Sequence, residues 1–339
     1  MNNAQAIIAL VAVLVSVVCA LPGTFLVLRG VALMSDAISH AVLLGIALFF
    51  LLTKNLDSPL LLVGAALAGM ATVLVTEFVI STRRLKQDAA IGIVFPLFFS
   101  CGVILISLFA RNVHLDVDMV ILGEIIFAPF NRLIIAGVDY GPYAVWALSG
   151  ILLLNVLFVA LFYKELKLSI FDYDYAYLAG ASPATLYYAL MMLTSITAVG
   201  TFDIVGSIVV VALMITPPAT AYLLTRRLEV LLGLSIGFAI VTSLAGYYAA
   251  YIFDVSIAGS IATVGGMLFV GVVVVAPDRG LLANFLYRRK ANARMSTQIL
   301  HAYLQNAPKN VSLETIQQDL GWSLAYTRKI YAALQFEGR

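Results

Sequence analysis

Charged residues along this chain are confined to short connections between apolar runs of about 20 residues, the length an α-helix needs to cross the hydrocarbon core of a bilayer, as far as residue 276. The pattern predicts nine spans, at 6–28, 31–53, 59–81, 90–110, 142–163, 184–201, 204–225, 228–252 and 256–276. Between 111 and 141 it breaks down. There His114, Asp116, Asp118, Glu124, Arg132 and Asp139 interrupt short apolar pieces such as Leu133-Ile134-Ile135, which predicts interfacial or partly inserted helix. The first run has no positive stretch before it, only Met1-Asn2-Asn3-Ala4-Gln5, and it is too long for a cleaved signal, so it is expected to stay in the mature protein.

After Lys290 the apolar pattern gives way to a polar tail. Thr297 to Gln305 has the spacing of a short amphipathic helix, and Asn306-Ala307-Pro308-Lys309-Asn310 reads as a turn. Ser312 can cap a second helix to Leu320, with Thr315 where a full capping box has Glu or Gln. Gly321 breaks the chain, and Ser323 can cap a third helix through Leu334. Helix, Gly-containing turn and helix form a helix-turn-helix pattern, with Leu313, Ile316, Leu320, Leu324, Ile330 and Leu334 as its small core. The expected fold class is therefore all-α, a polytopic helical membrane protein of eight or nine spans over 1–290 with a small C-terminal cytosolic helix-turn-helix-like module over 291–339. That module reads equally as a packing appendage, because Lys309, Arg328, Lys329 and Arg339 make only a weak basic patch for nucleic acid.

Composition narrows the function. Hydrophobic residues make up 62% and charged residues 11% of the chain, and mean hydropathy is +1.02, which excludes a soluble enzyme. The net charge of +2 gives no whole-chain reason to expect an acidic partner, but the placement of the charges is lopsided. With the N-terminus outside, inner connections collect Arg29, Arg83, Arg84, Lys86, Lys164, Lys167, Arg226, Arg227, Arg279, Arg288, Arg289 and Lys290. The outer ones hold Lys54, Arg111 and Arg132. Twelve against three orients the chain with its C-terminus in the cytoplasm, in a cell membrane. Cys19 and Cys101 lie inside apolar runs and read as small buried hydrophobes.

The sequence contains no G-x-x-x-x-G-K-[ST] loop, so any ATP-driven work must be done by another chain, and neither H-E-x-x-H nor G-x-S-x-G is present. The chain reads as not itself an enzyme. Ionisable residues inside spans are the informative ones, since a charge near the bilayer centre costs at least about 2.5–3.5 kcal/mol. Asp36 and His40 stand at i and i+4 on one face of the second span, and a carboxylate and an imidazole at that spacing suit a first-row divalent cation. The plainer reading is a hydrogen bond that joins helices. Glu77 is expected to snorkel or pair at the inner face, and Asp203 and Asp254 to sit at outer span ends.

Gly23-Thr24-Phe25-Leu26-Val27-Leu28-Arg29 and the Ser35 to Leu43 run with Gly45 resemble the start of the ATP-binding-cassette permeases for manganese, zinc and iron. Further matches follow in order: Asp88-Ala89-Ala90-Ile91-Gly92-Ile93, Leu122-Gly123-Glu124-Ile125, Val205-Gly206-Ser207 through Thr216-Pro217, and Ala276-Pro277-Asp278-Arg279-Gly280. The resemblance implies that Asp36 and His40 hold the transported metal (Mn, Zn or Fe) along the pathway. It also implies that an Asp-x-x-x-Ala-x-x-x-Gly segment, here Asp172, Asp174, Ala176 and Gly180 within about 170–183, docks into an ATPase. Tyr173 replaces a common Pro, and Pro218 follows Pro217 where a small residue is usual, which is expected to alter the helix end there. The implied partners are two ATPase subunits, a second permease copy or paralogue, an extracytoplasmic metal-binding protein and membrane lipid, with no permanently bound cofactor. The tail is similar to regulator-like extensions of some members. Two other function classes stand open at this point: a proton-coupled secondary metal transporter and, more distantly, a membrane sensor that uses its tail on DNA.

Overall fold

The computed structural model describes residues 3–55, 58, 60–109, 125–135, 138–277, 280–306 and 311–337. Among the described residues nine helices are long and apolar enough to cross a membrane. They are α1 (Asn3–Leu28), α2 (Leu33–Thr53), α3 (Leu60–Ser81), α4 (Gln87–Phe109), α5 (Tyr143–Leu161), α8 (Pro183–Val205), α9 (Ser207–Leu224), α10 (Leu228–Phe253) and α11 (Ile257–Val275). Two short helices, α6 (Tyr163–Phe171) and α7 (Tyr173–Leu178), link α5 to α8. The chain is a multi-pass helical membrane protein. It divides into two compact units, Met1–Val272 and Val273–Arg339.

In the first unit α2 packs on α3 and α4, α1 packs on α9 and α10, and α8 lies against α1, α2, α3 and α5. Lipid is as apolar as a leucine side chain, so helices in a membrane gain by close backbone approach where residues are small. Gly45 of α2 shows this: a Cβ built there would overlap the backbone of Gly64 in α3. Gly23 of α1 lies in the same way against the carbonyl of Met214 in α9. Residue 218 would ordinarily donate to that carbonyl one turn back, but it is a proline. The expected disturbance near 217 does not end the helix. Pro217 and Pro218 both lie inside α9, and the Thr216 and Thr220 hydroxyls donate to the carbonyls of Ala212 and Thr216 at 2.8 and 2.6 Å.

Many buried polar groups of the bundle find partners within it, as a membrane interior favours, although among the described residues Thr76 Oγ1 and Arg29 Nε are buried without one. Asn155 of α5 donates to the Val18 carbonyl of α1 at 3.0 Å and accepts from Thr197 of α8 at 3.1 Å. This tie between three spans gave no sequence signal, because an isolated Asn in an apolar run has no motif. Phe25, Met34, Ile38, Leu190, Met191, Leu213 and Met214 are among the fully buried side chains around it.

Two sequence expectations fail in this unit. Leu133-Ile134-Ile135 is not helix but part of an antiparallel hairpin, β1 (Arg132–Ile135) with β2 (Val138–Pro142), in which Ile134 faces Asp139 and Ile135 faces Val138. The reason is local. β-branched residues favour extended backbone, and Asp139 closes the hairpin by pairing with Arg132 at 2.9 Å and accepting the Gly141 amide at 2.8 Å. His114, Asp116, Asp118 and Glu124 lie outside the described residues. Cys101 is exposed on α4, whereas Cys19 is buried as expected.

The second unit holds α12 (Leu281–Asn306), α13 (Leu313–Leu320) and α14 (Leu324–Glu337). The short helix expected over 297–305 is only the last part of α12, which begins ahead of the change in composition. Ser312 caps α13 by accepting from the Thr315 amide at 3.2 Å, and Gly321 ends it in the left-handed region at φ +65°. Leu300, Ile316 and Ile330 form the buried core, with Leu313 and Leu320 packed against it. Leu324, expected in that core, is exposed.

Candidate metal site and docking helix

The pair singled out by the sequence occupies the start of α2. α1 ends in a Schellman cap, in which Gly30 (φ +72°) donates to Val27 and Val31 donates to Leu26 at 3.1 and 3.0 Å. The chain re-enters helix at Leu33, so Asp36 falls in the first turn of α2, about 4.5 Å along the axis, and His40 about 10 Å along. The charge therefore sits near one end of the span and not at its middle, and the helix N-terminus favours an anionic carboxylate there. The cost argument that drew attention to Asp36 is correspondingly weaker than a mid-bilayer position suggests.

His40 Nε2 and Asp36 Oδ1 are 3.4 Å apart, with about a third of each side chain exposed (33% and 38%). The imidazole stacks on Phe95 of α4 at 5.5 Å and meets Phe99 edge-on at 5.6 Å. The neighbours Ser35, Ala37, Ile38 and Ser39 are buried, and both serines donate back to α2 carbonyls or its cap. One face of the helix is thus locked into the bundle, while the carboxylate and imidazole point together from the other. Two aromatic rings fix the imidazole plane. No group of three or more His, Cys, Asp or Glu side chains capable of holding a metal occurs among the described residues. One chain offers two donors, fewer than the four zinc usually takes.

The Asp172 to Gly180 segment folds as a helix between caps. The Asp172 carboxylate accepts from the Tyr175 amide at 2.9 Å, and Gly180 at φ +83° ends the helix. Gly180 donates to Tyr177, and Ala181 to Ala176, both at 3.1 Å. Ala176 is fully buried and Asp174 exposed. Tyr173, Tyr175, Tyr177 and Leu178 stand 56 to 83% exposed, an apolar and aromatic surface on a very short helix.

α6 anchors this helix to the bundle. Lys167 Nζ and the Tyr163 hydroxyl both donate to Glu229 Oε1 of α10, at 3.0 and 3.1 Å. The hydrogen bond to Glu229, and its charge, hold the Lys167 ammonium above the usual lysine range. Burial, and then the same carboxylate, raise the Tyr163 phenol. Glu77, expected to snorkel or pair, accepts from the Tyr187 hydroxyl of α8 at 2.7 Å. Asp203 lies in the last turn of α8 and Asp254 directly after α10, as their placement at span ends required.

A family model described as the ABC 3 transport family matches residues 2–276. The chain is 42% identical to the manganese transport system membrane protein MntD of Bacillus subtilis over 274 residues, 81% of this chain and 92% of that one. It is 46% identical to the zinc transport system membrane protein TroD of Treponema pallidum over 297 residues, 88% of this chain and 81% of the other. Among solved structures, PsaBC from Streptococcus pneumoniae in complex with Fab superposes with a TM-score of 0.67 at 30% identity, covering 82% of this chain and 94% of that chain.

Proposed function

Because the chain belongs to the ABC 3 transport family, we propose that it is the membrane-spanning subunit of an ATP-driven importer of a divalent transition metal (Mn, Zn or Fe), fed by an extracytoplasmic metal-binding protein. It is a permease of an ABC-type metal transport system, and the finer reading rests on how its two candidate regions divide the work. Asp36 and His40 are the metal ligands of the pathway. Asp172, Asp174, Ala176 and Gly180 form the helix that couples to the ATPase, two copies of which serve a pair of permeases. The N-terminus lies outside and the C-terminal unit in the cytoplasm.

The single observation that carries this reading is α7. A six-residue helix capped at both ends, with three tyrosines and a leucine exposed, is an expensive surface for a solvated connection and a suitable one for a cleft in another protein. A proton-coupled carrier has no use for it. At the metal pair, two permeases that bring their second spans together supply two carboxylates and two imidazoles, a four-donor O/N set. Both ligands must be deprotonated to bind, so the metal competes with protons for His40.

The test keeps the packing and removes the donors. Asp36→Asn and His40→Phe, the latter still able to stack on Phe95 and Phe99, are each expected to abolish manganese and zinc accumulation at unchanged membrane levels. Normal accumulation by both leaves Asp36 and His40 as a hydrogen bond within α2. Copurification with a nucleotide-hydrolysing subunit tests the ATP-driven part independently.

A further inference from the structure

Arg29 is the one cation of the described bundle that is drawn inward without a carboxylate beside it. It stands directly after α1, immediately before the left-handed Gly30. Its Nη2 donates to Ser169 Oγ of α6 at 2.8 Å, and its guanidinium carbon lies 5.4 Å from the centre of the Tyr187 ring in α8. Its Nε is buried and makes no hydrogen bond among the described residues. Glu77 is reached only through the Tyr187 hydroxyl. Burial lowers the affinity of Arg29 for its proton, the direction expected of a charge drawn from water.

A half-buried cation paired to a hydroxyl and a ring face is a poor way to stabilise a helix end. The position is informative for another reason. Ser169, 6% exposed, lies three residues before the Asp172 cap of α7, and Arg29 lies seven residues before Asp36. α6 is thus held at two places: its first turns by Glu229 of α10, and its end by Arg29. The second hold falls at the joint between α1 and α2. There Gly30 takes φ +72°, and a Cβ at that position would meet no neighbour within 4 Å.

We propose that Arg29 is the positioning residue that transmits movement of the docking helix to the metal pair, through Ser169 at the end of α6 and the Gly30 turn at the start of α2. The inference rests on the proposed function, in that α7 must be the segment an ATPase moves. Displacement of α7 pulls Ser169, the guanidinium follows its hydrogen bond, and the turn that sets the direction of α2 reorients Asp36 and His40. A guanidinium suits this because it stacks on Tyr187 with its plane while directing an N–H at Ser169, which a lysine ammonium does not do. Such coupling needs two arrangements of one element that both sites bias, and in this proposal the Gly30 turn takes that part.

The experiment uses the full chain reconstituted with the ATPase subunit that copurifies with it, and reads ATP hydrolysis and uptake of manganese supplied on the extracytoplasmic binding protein in the same vesicles. Ser169→Ala and Arg29→Lys are each expected to lower the metal moved per ATP hydrolysed by about tenfold, with hydrolysis itself within about twofold of the starting protein. Tyr187→Phe, which keeps the ring under Arg29 and loses only the bond to Glu77, is expected to keep that ratio. A merely structural role lowers hydrolysis, uptake and protein level together, and an unchanged ratio in Ser169→Ala and Arg29→Lys overturns the proposal. If the unsubstituted chain engages no ATPase, the proposed function falls and this inference with it. Coupling in the unsubstituted chain with an unchanged ratio in the variants removes this inference alone.

Discussion

Gly180 separates two effects that a single substitution usually confounds. Its φ of +83° lies in the left-handed region, where an L side chain costs roughly 1–2 kcal/mol, yet nothing lies within 4 Å of the position a Cβ would take. In the permease alone, Gly180→Ala and Gly180→Trp therefore carry the same backbone cost and no clash at the Cβ. That cost falls on the cap of α7, whose reporters are the Gly180 and Ala181 amides bonded to Tyr177 and Ala176. A loss of 1–2 kcal/mol raises the population of the opened cap by about 5–30-fold. Hydrogen exchange at residue 181 should accelerate by that factor in both variants. Gly180→Asn should lie between them and the parent, since Asn enters the left-handed region more readily. The spans, apart from the first turn of α8 three residues on, should keep their protection. With the ATPase present the two variants should part: alanine leaves room in a close interface and tryptophan does not. Coupled uptake is expected to survive in Gly180→Ala, reduced in proportion to the cap population, and to vanish in Gly180→Trp. Equal uptake by the two, with equal exchange at residue 181, would refute the docking of α7, because a solvated helix end cannot tell their sizes apart.

Two further outcomes follow from packing and from charge. Gly45→Ala should destabilise the bundle by about 1–3 kcal/mol in detergent thermal unfolding, since its Cβ meets the Gly64 backbone, which cannot yield by a rotamer change. Gly92→Ala, in α4 with open space, should be neutral or slightly stabilising, and equal behaviour of the two would contradict the α2–α3 contact. The tie between α6 and α10 carries a definite pH sign. Lys167 and Tyr163 both bind their protons more tightly in the folded protein, and the same contacts lower the Glu229 carboxyl, so the tie is complete between the ordinary carboxylate range and the ordinary tyrosine and lysine ranges; it is lost as pH rises through the raised values or falls through the lowered one. Tyrosinate absorbance, read as the difference between the parent and Tyr163→Phe, should develop above the ordinary tyrosine pKa of about 10, and Glu229→Gln should bring it back toward that value. Titration of Tyr163 together with the exposed tyrosines would remove the Glu229 contact.

Nine spans, their limits to within a few residues, and the residues of both candidate regions were legible from the sequence. The cause is physical: a bilayer leaves a helix no choice but about 20 apolar residues, and caps such as Asp172, Ser312 and Gly321 act on their immediate neighbours. Asp36 and His40 were readable for the same local reason, since i and i+4 share a face whatever the rest of the chain does. Apolar runs carry no partner information, however. Which helix meets which is decided by the close approach of Gly45 to Gly64 and Gly23 to Met214, and neither pair is marked by anything in its own segment. Tertiary structure alone set the depth of Asp36 in the first turn of α2, because that depends on where Gly30 ends the helix before it. It also turned Leu133-Ile134-Ile135 into a strand through a pairing with 138–142. And it brought Arg29, Ser169, Tyr187 and Glu77 together from four separate segments. Local chemistry wrote the elements of this protein, whereas the contacts between distant polar groups, such as Arg29 with Ser169 and Tyr187 with Glu77, exist only once those elements have packed.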